Sequence, residues 1–137
     1  MIEYIRNDSK GAILYQNDGA YTIHSTAFSW VKQMCLAHFF SHEGYTKAVE
    51  KKFSRSKKIP IVLSSHLILI PSRRIRDYEN IWFNSCQIER VTPREDGIEI
   101  RFISQNILRI NLSYRSYLKQ TKLANRILLE KVKHFHI

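Results

Sequence analysis

The residues with the greatest chemical potential in this 137-residue chain are its cations. Lysine and arginine number 22 against 12 acids, a net charge of +10 with a pI near 9.8, and they are gathered rather than spread. One run holds Lys47, Lys51, Lys52, Arg55, Lys57 and Lys58 against a single acid, Glu50, and a second holds Arg73, Arg74 and Arg76. A third emerges only with helical periodicity. At about 100° per residue, Arg115, Lys119, Lys122, Arg126 and Lys133 fall within about 60° of arc, a row broken by Glu130 alone. Lysine is a compact point charge, whereas the planar arginine fork bridges phosphate oxygens and enters the narrow, strongly negative minor groove of A·T-rich DNA. Such clusters suit a polyanion, and Arg73, Arg74 and Arg76 are the candidates for groove insertion. The plainer readings are a solvated outer helix face and a loop partly neutralised by Asp77 and Glu79.

Other chemistry is thinner. The six histidines are dispersed, with His134 and His136 at the terminus, and no HExxH, GxSxG or glycine-rich phosphate loop occurs. His38 and His42 have helical i, i+4 spacing and Glu43 follows, so a metal pair can be drawn, but no third ligand is identifiable. Cys35 and Cys86 are far apart and lack metal spacing, so neither a disulfide framework nor a zinc site is implied. Cys35 falls on an apolar helix face and reads as buried filler. Trp30, Phe39 and Trp82 read as core; Tyr45 and Phe53, interleaved with lysines, are the aromatics placed to touch a base or sugar, although packing is their commoner use.

The elements that must position these groups follow from periodicity. Asn17-Asp18-Gly19 between GAILYQ and AYTIHST predicts a β-hairpin. Apolar positions from Ala27 to Phe39, behind the N-cap candidates Ser25 and Thr26, predict a helix near 27–40. Residues 44–58 read as a helix or a strand ending in a basic loop. The aliphatic runs Ile59–Leu63 and Leu67–Ile70 predict a hairpin around Ser64-Ser65-His66, its prolines at strand ends, with Lys57, Lys58, Arg73 and Arg74 emerging together at its open end. Ile81 and Phe83 and, after a break, Ile88 and Val91 predict a further strand, and Thr92–Gly97 a turn. Ile98–Phe102 and Leu108–Leu112 alternate as half-buried antiparallel strands. A C-terminal helix capped by Ser113 carries the stripe Tyr114, Tyr117, Thr121, Ala124, Leu128, Val132 and Phe135. The expected fold is a single α+β domain over 1–137: a mostly antiparallel sheet of six or seven strands with a helix near 27–40 and a long amphipathic C-terminal helix.

Taken in order, Lys58-Ile59-Pro60-Ile61, Ile70-Pro71-Ser72 and Ile81-Trp82-Phe83 with Ile88 resemble the central pattern of the competence transcription factor (ComK) family. The similarity continues through Ile98–Phe102, the Leu108–Ser113 strand and the Gln120–Leu128 segment, where Gln120 and Ala124 match the family's spacing. Cys35-Leu36 and Glu43-Gly44 match more loosely, so the likeness covers roughly residues 30–130. The resemblance implies an activator that binds paired A·T-rich boxes largely through the minor groove, as a dimer or pair of dimers, with no cofactor. Gly44-Tyr45 stands where the family has Gly-Arg. The chain ends at Ile137 without the longer tail through which better-known members are delivered to proteolysis, so control by that route is expected to be absent.

The function expected is therefore that of a DNA-binding transcription regulator, not an enzyme, that bends A·T-rich promoter boxes. Its partners would be double-stranded DNA, a second copy or more, and RNA polymerase. No apolar segment near 18 residues and no leader are present, so it is expected in the cytoplasm, at the nucleoid. The alternatives are a small basic ribonuclease using His66 or His42, and a modulator without DNA affinity that dimerises with a longer relative.

Overall fold

A computed structural model describes residues 1–55 and 57–135. The chain opens with three strands, β1 (Ile2–Asp8), β2 (Gly11–Gln16) and β3 (Gly19–Ile23), each joined to the next by a two-residue turn. The same device recurs between β7 (Ile88–Arg94) and β8 (Gly97–Phe102). In each case a glycine follows the turn, with φ of +139° at Gly11 and +150° at Gly97, a region essentially closed to residues with a Cβ. A side chain at either position would also strike a carbonyl oxygen, that of Ile23 or of Ile110.

Helices α1 (Ala27–Ala37) and α2 (His42–Phe53) follow, and then β4 (Ile61–Ser64), β5 (Leu67–Pro71) and β6 (Ile81–Asn84). Residues 44–58, left open between helix and strand, are thus mostly helix. Thr26 caps α1 by accepting from the Ser29 N–H, and Ser41 caps α2 by accepting from that of Gly44. The six strands form one antiparallel sheet in the order β3-β2-β1-β6-β5-β4. After a single turn of 3-10 helix, β7, β8 and β9 (Ile107–Ile110) make a separate three-stranded sheet, and α3 (Tyr114–Phe135) closes the chain. The Ser113 hydroxyl accepts from the Ser116 N–H, the cap expected of it.

The architecture is the expected α+β, but with nine strands in two sheets among the described residues rather than six or seven in one. The single strand expected over Ile81–Val91 is two strands in different sheets, parted where the Asn84 side chain accepts from the Cys86 N–H. Thr92, Pro93 and Arg94, expected in a turn, lie in β7; the turn is Glu95-Asp96. Proline is tolerated there because β7 is an edge strand.

Both faces of the six-stranded sheet are covered. On one, Tyr4, Tyr15 and Phe83 share a side by register; Tyr4 stacks on Phe102 of β8 and Phe83 on Tyr117 of α3. On the other, Ile5, Leu14 and Trp82 are buried, and Asn7, pointing the same way, accepts the Ala27 N–H that starts α1. Each fully buried aliphatic or aromatic side chain stabilises the fold by about 1.5–3 kcal/mol, and Trp82, Phe83, Phe102, Ile5 and Leu69 all qualify. Phe39 does not: α1 stops at Ala37, Phe39 turns to φ +69°, and its side chain is 98% exposed rather than core. The buried side of α3 is Gln120, Leu123, Ala124 and Ile127, so the apolar stripe is rotated from the one expected, and Tyr114 and Val132 are exposed. The expectations for Phe135 and His136 fall outside the described side chains.

Candidate nucleic-acid interface

The hairpin β4–β5 has its turn at Ser65-His66 and its open end at Pro60 and Pro71, as the aliphatic runs predicted. At the open end, Lys57, Lys58, Arg74 and Arg76 line one cleft of about 280 Å³ with His42, Thr46, Ile59 and Ile75. Segment 73–80 is held in shape by its two ends. The Ser72 N–H donates to the Ile81 carbonyl (2.9 Å), the Ile81 N–H donates back to the Ser72 hydroxyl (2.9 Å), and the Asn80 side-chain oxygen accepts from the Arg73 N–H (2.8 Å). Arg74 and Arg76 therefore project from a braced loop. Arg73 is spent differently, its guanidinium lying 3.8 Å from the Asp77 carboxylate.

Gln120 joins this cleft to α3. Fully buried, it donates to the Lys58 carbonyl (2.6 Å) and accepts from the Arg55 guanidinium (2.9 Å), which also donates to the Lys57 carbonyl (3.1 Å). Arg55 is thereby a positioning residue for the loop 57–58, half-buried rather than a free cation. Six residues along, the Arg126 guanidinium lies 4.9 Å over the Phe53 ring, so α3 runs beside the end of α2. Arg115, Lys119, Lys122 and Arg126 are exposed, as is Lys133.

On α2, Lys47 and Lys51 are exposed four residues apart, turned from the buried Tyr45 and Val49, while Lys52 lies 3.8 Å from Glu130 of α3. Tyr45 is no base-stacking platform: its hydroxyl donates to the Pro60 carbonyl (2.7 Å) and accepts the Val62 N–H (3.0 Å), and burial drives its ionisation far above the ordinary phenol range. Phe53 is half-buried beneath Arg126.

One cation near Arg76, outside the lining of the cleft, was passed over by sequence clustering. Lys32 of α1 lies 5.1 Å over the Phe28 ring and Arg76 5.4 Å over the same ring, with His42 packed edge-on at 5.0 Å. Burial holds the His42 imidazole below its usual pKa; Glu43 is the main opposing influence, and Lys32 and then Arg76 add smaller contributions to the lowering. The readable signal was the i, i+4 spacing of Phe28 and Lys32 on an amphipathic helix.

A second basic surface was missed, on the outer face of the three-stranded sheet. Arg90 and Arg101 pair directly across β7 and β8, and Arg94 and Arg109 lie 2.6 and 2.9 Å from Glu99. The alternation of Ile98–Phe102 and Leu108–Leu112 already put Arg101 and Arg109 on the side away from the core.

The drawn metal pair is not formed: His38 caps the end of α1 and His42 opens α2, on separate helices. Among the described residues no group of three or more His, Cys, Asp or Glu could hold a metal ion. Cys35 is buried filler, its thiol pushed up to about 11 by burial. No described helix is long and apolar enough to cross a membrane.

Fold and charge together define a class, a basic antiparallel α+β protein whose cations are carried on helix faces and braced loops. The chain belongs to the ComK family, whose model, described as ComK protein, matches residues 2–134, and with it to a family of competence transcription factors. No curated protein and no solved structure matches it. The residues that carried the resemblance have structural duties: Pro60 and Lys58 present carbonyls to Tyr45 and Gln120, Ser72 closes the arginine loop, and Trp82 and Ala124 are core.

Proposed function

We propose that the chain, as one DNA-binding domain, is a transcription regulator of competence type that binds A·T-rich promoter boxes in double-stranded DNA. Lys57, Lys58, Arg74 and Arg76, gathered on one cleft and clasped to α3 through Gln120, are the observation that carries this reading. Lysines neutralise phosphates and release counterions, which supplies affinity; Arg74 and Arg76 enter the narrowed minor groove, where bending supplies selectivity. From Arg115 to Lys133 the α3 row extends about 27 Å, close to eight base-pair rises, enough to follow a backbone. Lys47 and Lys51 lengthen the basic surface along α2, and Arg73 and Lys52, each beside an acid, contribute less. The protein would act as a homodimer or higher assembly at the nucleoid in the cytoplasm, with RNA polymerase as a further partner and no cofactor.

Fluorescence anisotropy titrations with A·T-rich and G·C-rich duplexes at several salt concentrations test this. The expected result is tighter binding to the A·T-rich duplex and a steep negative slope of log K against log salt. Equal affinity for both duplexes would remove the selective part, and a flat slope the electrostatic part.

A further inference from the structure

The two edges of the six-stranded sheet are treated differently, and we infer from this that β3 is the strand through which two copies of the chain pair. The β4 edge is closed: the Tyr45 hydroxyl takes the Val62 N–H and the Lys131 ammonium donates to the Val62 carbonyl at 2.6 Å. The β3 edge carries none of the devices that protect an exposed strand. It is five residues long, regular in register with β2, free of proline, and exposed from Gly19 to Thr22. No lysine or arginine occurs between Asp18 and His24.

The register says which groups are free. A two-residue turn makes Gln16–Gly19 the closing hydrogen-bonded pair, so bonded pairs recur at Leu14–Tyr21 and Ala12–Ile23. The N–H and C=O groups of Ala20 and Thr22 therefore point away from the sheet, and neither backbone donates or accepts elsewhere among the described residues. Those four groups match a second copy of themselves. Antiparallel pairing about a two-fold axis at Tyr21 sets Ala20 opposite Thr22 of the partner in bonded pairs, satisfies all four, and places the two Tyr21 side chains face to face. A chain of charge +10 resists self-association wherever its cations meet, and this line brings none together. The occupant is thus a second copy of the chain. The inference names the surface of the dimer in the reading above but rests on strand geometry, and its test contains no DNA, so either can fail alone.

Sedimentation equilibrium across micromolar concentrations should show a monomer–dimer equilibrium. Thr22→Pro replaces an outward N–H with a ring, which an edge strand tolerates but a paired one does not. It should weaken dimerisation by roughly tenfold or more while circular dichroism, and melting at dilutions where the chain is monomeric, stay unchanged. In a Cys86→Ser background, Tyr21→Cys should form an intermolecular disulfide on mild oxidation. Ala20→Cys should not, because its partner copy lies on the diagonal, about 7–8 Å away. A monomer at all concentrations, a dimer indifferent to Thr22→Pro, or cross-linking at Ala20→Cys but not Tyr21→Cys would overturn the inference.

Discussion

The cations at the open end of the β4–β5 hairpin and the arginines on the three-stranded sheet both face water, yet they are occupied differently. On the sheet, Arg94 and Arg109 converge on one carboxylate, and together they hold Glu99 below its usual pKa, the Arg109 hydrogen bond first among the causes. At the hairpin, Lys57, Lys58 and Arg74 make no ion pair among the described residues, and the side chains that line the cleft with them are His42, Thr46, Ile59, Ile75 and Arg76, none of them an acid. Nearby acids make a basic surface self-contained; without them its charge is available to an external anion. Composition cannot separate these cases, but geometry can.

The largest expected effect comes from replacing Lys57, Lys58, Arg74 and Arg76 together by alanine. Affinity for an A·T-rich duplex should fall by on the order of a hundredfold or more and the salt slope by about 3.6, whereas Arg94→Ala with Arg109→Ala should leave the slope nearly unchanged. The reverse pattern in anisotropy titrations would move the interface to the sheet. Next, Gln120→Ala leaves the Lys58 carbonyl and the Arg55 guanidinium without their clasp. It should cost about 1–3 kcal/mol in urea unfolding and weaken DNA binding although no cation is lost. Glu99→Gln frees two arginines and should raise duplex affinity modestly, roughly threefold at low salt, the direction that distinguishes a masked surface from an inert one.

The smallest effect concerns His42. Its folded-state pKa is depressed below the unfolded value of about 6.5, so as pH falls through that value the unfolded chain takes up a proton that the folded chain resists. Stability is therefore lost below about pH 6.5, and less so in His42→Gln; thermal melts between pH 5.5 and 7.5 read the difference.

How much was legible can be traced to individual residues. The β4–β5 hairpin was readable because proline and paired cations bracket two aliphatic runs, and its cationic end appeared where antiparallel pairing required. Strand β1 was not, because its core-facing residues are Ile5 and Glu3. The Glu3 carboxylate is buried with the Ser104 hydroxyl and the Asn106 amide as donors, partners a hundred residues away that no local pattern reveals. The second sheet was hidden by Asn84, whose side chain bonds the Ile68 N–H, the Cys86 N–H and the Ile2 carbonyl and so turns the chain through a corner at the break in an apolar pattern that reads as one strand. Phe39 continued a helical pattern that the backbone abandons two residues earlier. For the candidate interface, cation clustering picked out Lys57, Lys58, Arg74 and Arg76, which the fold gathers on one cleft. It could not tell that Arg55 and Arg73 are committed within the protein, nor that Lys32 arrives from another helix.

Gln120 has a consequence for any titration of this surface. The link holding the loop of Lys57 and Lys58 to α3 is a neutral, fully buried amide, and ionic strength, which screens exposed charges, scarcely touches such a contact. The array of cations should keep its shape from dilute buffer to molar salt. A measured salt dependence would then count the ions leaving the nucleic acid and not the loosening of the protein that displaces them.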